Sequence, residues 1–275
     1  MQGIKITLDG DLHDDIYMRQ PPGFTDPKQP DAVCNNASAI KQLLGQLQAQ
    51  FALKQLGQIS LFLGIQVLQS TNGYFLSQQH YATKLLHDAG YADCNPVPTP
   101  ITPSSKTDHT ASTPFNDPTL YRKLAGSLQY LSIIRPDIAF ATNVVCQHMQ
   151  HPTDQDFKAL KRLLRYIKRT ITYGLPINTG PLELRTYTDA DWVFDSSDRK
   201  SISGYCSFLG PNLISWTIKK QATVAKSSTE EEYRALSAAT SEVIWLRRLA
   251  EELHNSLQHQ FTVITPRPEP SPKTR

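Results

Sequence analysis

Cysteine is scarce in this 275-residue chain, and what there is does not pair. Cys34, Cys94, Cys146 and Cys206 are widely spaced with no CxxC, which argues against a disulfide framework or a zinc-ribbon site and for reduced, intracellular thiols. No apolar run approaches the roughly 20 residues of a membrane span, and no signal-peptide core opens the chain. The expected setting is therefore cytoplasm or nucleus, with no membrane partner and no secretion. A formal charge of only +3 leaves any case for nucleic acid to local clustering. No P-loop, dinucleotide fingerprint or GxSxG elbow occurs, and no small-molecule ligand is evident. His148 and His151 are three apart without a third ligand nearby, which reads as a surface pair.

What is present falls into segments. Residues 1–34 carry a short extended piece at Ile16–Met18 and a Pro-Pro-Gly turn, too little apolar surface to fold alone. Within 35–95, Ser38 can cap a helix bearing Ile40, Leu43, Leu44, Leu47 and Phe51. Ile59 to Leu68 reads as one strand, Thr71-Asn72-Gly73 as a turn, Tyr74–Leu76 as the returning arm, and Gln79–Ala89 as a helix closed by Gly90. Four prolines between 96 and 103 make residues 96–116 a Pro-rich linker and an internal boundary.

Residues 117–176 read as helical. Leu120, Leu124, Leu128 and Leu131 form one stripe, stopped at Arg135-Pro136. A second helix spans Ile138–Met149 and a third Thr153–Thr170. The third carries Lys158, Lys161, Arg162, Arg165, Lys168 and Arg169 opposite an apolar face, with no acid from Phe157 onward. Such a stripe is either a solvated helix face or a phosphate-binding surface with salt-dependent affinity. Tyr173 to Pro176 breaks the helix.

Residues 181–256 hold three strand-like runs and a long helix capped by Ser227 or Ser228. Leu182, Leu184 and Thr186 alternate with Glu183, Arg185 and Tyr187 as in a half-buried strand. Trp192, Trp216 and Trp245 are expected in the core. Glu230, Glu231 and Glu232 start the helix, where the dipole favours acids, and that role accounts for the first two. Asp189 ends the first strand. Together with Glu232 it is the candidate catalytic and metal-ligating pair, because divalent-metal phosphodiester chemistry needs converging carboxylates. Asp191 reads as a strand-end turn residue. Residues 257–275 read as a disordered tail, with Phe261–Thr265 the only strand-like run in them.

YTDADW, DRKSISGYCSFLG, LISWTIKKQATVAKSSTEEEYRAL and EVIWLRRLAEEL resemble the ribonuclease H segment of copia-type LTR retrotransposon Pol polyproteins. LYRKLAGSLQYLSIIRPDIAFATNVVCQHMQHPT and ALKRLLRYIKRTITYGL resemble the thumb and connection region. FALKQLGQISLFLGIQV resembles the segment just after the polymerase active site, and GDLHDDIYMRQPPGF the fingers-to-palm stretch of the reverse transcriptase. The fold this implies is α+β: a partial palm, a helical thumb/connection, and an incomplete ribonuclease H-like unit of three strands plus a helix.

The same resemblance marks what the chain lacks. The family's first polymerase aspartate falls on Gln2, and no YxDD hairpin occurs. Cys34 runs directly into NNASAIKQLL, which in the family lies beyond that hairpin, so an internal deletion is expected at Cys34/Asn35. Two-metal nucleotidyl transfer needs those carboxylates. By resemblance Asp189 and Glu232 are two ribonuclease H ligands for Mg²⁺; the family's later acids have no counterpart after Leu253, so weak or absent Mg²⁺ binding is expected. DWVFD departs too, at Phe194, where the family has a small residue. The expectation is a fragment unable to polymerise DNA or cleave RNA–DNA hybrids. The alternatives are a non-catalytic nucleic-acid-binding module using helix 157–170, with RNA–DNA hybrid as a partner, and a decayed reading frame with no function.

Overall fold

The computed structural model describes residues 45, 59–102, 113–191 and 199–253. Expectations for residues 1–34, the helix around Leu43, Trp192, Phe194 and the 257–275 tail lie outside these. The described residues form a mixed α and β structure with two antiparallel sheets.

The run from Ile59 to Leu68 is not one strand. It folds at Leu63-Gly64 into β1 (Leu61–Phe62) and β2 (Ile65–Ser70), followed by β3 (Gly73–Ser77). Leu63 and Gly64 both have positive φ, 48° and 75°, the backbone that a two-residue hairpin turn requires. Tyr130 braces this turn by donating its hydroxyl to the Leu63 carbonyl.

A fourth strand, β4 (Gly174–Asn178), pairs antiparallel with β3, giving the order β1-β2-β3-β4. The sequence reading took Tyr173–Pro176 only as a helix break. Pro176 is tolerated because β4 lies at the edge of this sheet, where a missing N–H costs no ladder bond on the open side. Gly73 makes the pairing possible, since a Cβ there would sit 2.0 Å from the Ile177 carbonyl oxygen.

Four α-helices follow in order, with a 3₁₀ turn between the second and third: α1 (Gln79–Asp88), α2 (Pro118–Leu131), the turn Pro136–Ile138, α3 (Ala139–Gln147) and α4 (Asp154–Arg169). Asp117 caps α2, accepting from the Leu120 N–H at 2.9 Å, with Pro118 in the first turn. Such capping satisfies a donor that the helix itself leaves unbonded. Leu85, Leu86, Tyr121, Leu128, Leu160, Leu164 and Ile167 share one buried core. Val97 belongs to it as well, so the start of the Pro-rich stretch is packed against the helices on both sides of it.

Arg135, only 2% exposed, closes the base of this bundle. Its guanidinium forks onto Asp137 at 2.8 and 2.7 Å and donates to Thr170 O and Oγ1 at 3.0 and 2.6 Å. A buried cation is tolerable only when paired and bonded this fully.

The second sheet is β5 (Leu184–Asp191), β6 (Ile202–Leu209) and β7 (Asn212–Lys220), in that order, with α5 (Ser228–Glu252) packed on one face. The helix buries Ala235, Ala239 and Val243 at four-residue spacing, small residues that let helix and sheet approach closely. Trp245 is 56% exposed and Trp216 half-buried. The core role expected of Trp245 therefore fails: it lies off the four-residue stripe that faces the sheet. Among the described residues no helix is long and apolar enough to cross a membrane.

Candidate nucleic-acid interface and carboxylate site

The basic helix α4 is built for its place. Thr153 and Asp156 form a reciprocal capping box, with the Asp156 carboxylate accepting from the Thr153 N–H at 2.8 Å. Asp154 and Asp156 occupy the first turn and Lys168 and Arg169 the last, matching the helix dipole at both ends.

Its six cations divide by role. Arg162 Nη2 donates to Thr99 Oγ1 at 2.6 Å, and Arg165 Nε donates to the Asn95 carbonyl at 2.7 Å. The Val97 N–H in turn donates to the Arg165 carbonyl at 3.4 Å. These two arginines hold the 95–99 segment onto the bundle. Lys161 Nζ sits 4.6 Å from the Phe157 ring centre, a cation–π placement. Lys158 and Arg169 are exposed and Lys168 half-buried, which leaves these three best placed to reach phosphate. His148 Nδ1 lies 3.7 Å from Asp156 Oδ1, beside the cap.

The carboxylates lie where β5 ends and α5 begins. Strand alternation buries Leu184, Thr186 and Thr188 on the face toward α5. Asp189 and Asp191 therefore fall on the opposite face, exposed, and Asp189 Oδ1 accepts the Ala190 N–H at 2.9 Å. Ser227 caps α5, accepting from the Glu230 N–H at 3.2 Å. Glu230 turns back to accept from the Lys226 N–H at 2.7 Å and pairs with Arg234 at 2.6 Å. Glu232 is half-buried.

Glu231 breaks the expectation that the helix start accounts for it. It is 1% exposed, and its Oε2 has no hydrogen-bond partner. Burial pushes its carboxyl above the ordinary range; a hydrogen bond with Ser201 opposes this, while the charges of Asp191, Glu232 and Asp189 add to it. The signal was present in the sequence, since Glu231 lies four residues before Ala235 and eight before Ala239, in line with the small-residue stripe. Strand end and helix start are thus close enough for their acids to feel one another. Yet among the described residues no group of three or more His, Cys, Asp or Glu is arranged to hold a metal ion. With Asp189 exposed on the strand face away from α5 and Glu231 buried on the helix with one carboxylate oxygen unpartnered, the described carboxylates do not fit a two-ion Mg²⁺ clamp.

Comparison with known proteins shows the family. A family profile described as reverse transcriptase (RNA-dependent DNA polymerase) matches residues 32–103. An uncharacterized mitochondrial protein of Arabidopsis thaliana is 45% identical over 207 residues, covering 75% of this chain and 86% of that protein. The retrovirus-related Pol polyprotein from transposon RE2 of the same plant is 34% identical over 314 residues, covering 92% of this chain. That from transposon TNT 1-94 of Nicotiana tabacum is 33% identical over 229 residues and covers 78% of this chain. The chain spans only 22% and 17% of the lengths of these two polyproteins. With motifs and relatives in agreement, the chain belongs to the copia-type reverse transcriptase family of retrovirus-related Pol polyproteins.

Proposed function

We propose that this chain is a non-catalytic piece of a copia-type reverse transcriptase and ribonuclease H, retaining at most nucleic-acid binding. Residues 1–34 correspond to a remnant of fingers and palm, 35–95 to the end of the palm, and 117–176 to the thumb and connection. Residues 181–256 correspond to the front half of a ribonuclease H-like unit. The observation that carries the reading is the direct passage from Cys34 to Asn35, which leaves no YxDD and puts Gln2 at the first aspartate position. The alignment with RE2 supports it: 314 aligned positions exceed the 275 residues of this chain, so the relative has stretches without a counterpart here.

Mg²⁺ would be the family's metal, and Asp189 and Glu232 the residues toward it. Because the described carboxylates do not fit the two-ion clamp, no reaction step is assigned to them. The binding role rests on α4, whose Lys158, Lys168 and Arg169 would lie along the phosphates of an RNA–DNA hybrid. The test pairs two assays on the purified chain. Primer extension and hybrid cleavage with Mg²⁺ or Mn²⁺ are expected to yield no product. Cleavage that disappears in Asp189→Asn would overturn the non-catalytic reading. Hybrid binding is expected to weaken steeply between two salt concentrations, and no salt-sensitive binding at all would remove the binding role.

A further inference from the structure

Helix α5 carries two apolar stripes, and the sheet takes only one of them. Ala235, Ala239 and Val243 face the strands and are buried. Trp245, Leu249 and Leu253 are also four apart, and so share one helix face, yet all three stay exposed, Trp245 at 56%. Ala238, seven positions before Trp245, extends this second stripe and is exposed as well. At 3.6 residues per turn the second stripe is rotated from the first by about a quarter turn. Glu242, between the two, accepts from the Ser215 hydroxyl of β7 at 2.6 Å, so the open stripe overlooks β7. Arg248 and Glu252 line one flank of it, both exposed. Among the described residues neither of them makes an ion pair.

We propose that this stripe is where two copies of the chain pair, α5 lying antiparallel to α5 about a twofold axis at Leu249. A twofold interface must be its own complement, and this stripe is. An axis at Leu249 sets that residue against its counterpart and brings Trp245 level with Leu253 of the second copy. With 1.5 Å of rise per residue, it also places Arg248 about 3 Å along the axis from Glu252 of the second copy. Helical side chains lean toward the N-terminus, which parts the two copies of Arg248 and carries each toward the facing Glu252. A cation one turn before an anion on the same flank is matched by the reverse order, which an antiparallel copy presents. The contact spans fewer than three turns of one helix and falls short of the roughly 800 Å² per partner of a standard interface. The dimer is therefore weak and reversible. The pairing is independent of any nucleic-acid binding by α4.

The experiment follows the full chain by sedimentation velocity from micromolar to near-millimolar concentration. A monomer–dimer equilibrium is expected, with tryptophan emission moving to shorter wavelength as the dimer forms. Arg248→Glu opposes two acids across the axis, and Glu252→Arg opposes two arginines. Each change alone is expected to weaken the dimer about tenfold, since symmetry doubles the effect of a modest surface pair. The two variants mixed in equal amounts, and the double variant R248E/E252R, are expected to dimerise as the wild type does, because opposite charges meet again. Both positions are exposed, so melting temperatures are expected to hold, and recovery on mixing cannot come from folding. A wild type that stays monomeric throughout overturns the proposal. If its emission is already at short wavelength, the chain's own residues 254–275 cover the stripe instead. A dimer that the single variants leave unchanged, a loss that mixing does not restore, or growth into larger species without a dimer also overturns it.

Discussion

Asn212 clasps the main chain of Asn178. Its Oδ1 accepts the Asn178 N–H at 2.7 Å, and its Nδ2 donates to the Asn178 carbonyl at 2.8 Å. The carboxamide thereby imitates a strand partner, joining the edge of the first sheet to the start of β7. Along with the bond from Asn143 to Ile218, it sets how the helical bundle meets the second sheet.

Replacing Asn212 with alanine should therefore weaken the joint more than either sheet. We expect a loss of about 1–2 kcal/mol for two part-buried hydrogen bonds, with faster amide exchange in β4. Asn212→Asp should behave similarly, because the donor to Asn178 is gone. Hydrogen exchange followed by mass spectrometry reads both; unchanged β4 protection would refute the clasp.

Arg135→Ala removes four bonds at once and strands the Asp137 carboxylate and Thr170. Breaking such a buried pair typically costs about 3–5 kcal/mol, and Asp137 keeps some contact with water (30% exposed), so the lower end is expected. Arg135→Lys keeps the charge but not the fork and should fall between. Denaturant melts measure both, and a loss below 1 kcal/mol for alanine would contradict the assigned role.

Glu231 gives the protein a pH dependence with a definite sign. Its folded-state pKa lies above the ordinary value of 4.5 because burial disfavours the charge. Below 4.5 both folded and unfolded chains hold the proton. As pH rises through that value the unfolded chain releases it first, so stability falls until the folded carboxyl also ionises. Glu231→Gln should remove this decline and raise the melting temperature at neutral pH. Melts from pH 4 to 8 test it, and a variant less stable than wild type at pH 7 would overturn the assignment.

The cations of α4 should separate into two classes. Changing Lys158, Lys168 and Arg169 together to glutamine should lower the melting temperature only slightly, through the lost dipole match of Lys168 and Arg169, and flatten the salt dependence of hybrid binding. Arg165→Gln should lower the melting temperature more, by loosening the hold on Asn95. Identical behaviour of the two variants would mean that the division is wrong.

Cys146 should be a slow thiol. Burial pushes it up to about 11, so little thiolate exists near neutral pH. Alkylation of the native chain at pH 8 is expected to spare Cys146 and to reach it after denaturation, as peptide mapping would show.

The helices were legible because their signals are local. Thr153 and Ser227 cap where a cap residue precedes a periodic run, and the predicted bounds of α1 and α4 differ from the observed ones by a residue at most. The turn at Leu63-Gly64 was missed because a continuous apolar run hides a hairpin whose turn begins with leucine. β4 was missed because its partner, β3, lies about a hundred residues earlier.

The order of motifs in the sequence by itself determined the family and the helical periods, since each depends on residues close along the chain. The tertiary structure decided which glutamate of three turns inward, which arginines of the basic stripe are already occupied, and that Trp245 faces outward. Those outcomes depend on partners far apart in sequence, such as Arg165 and Asn95, 70 positions apart. Composition and spacing cannot reveal which long side chain will find a carbonyl across such a distance, because the contact exists only once both elements share one core.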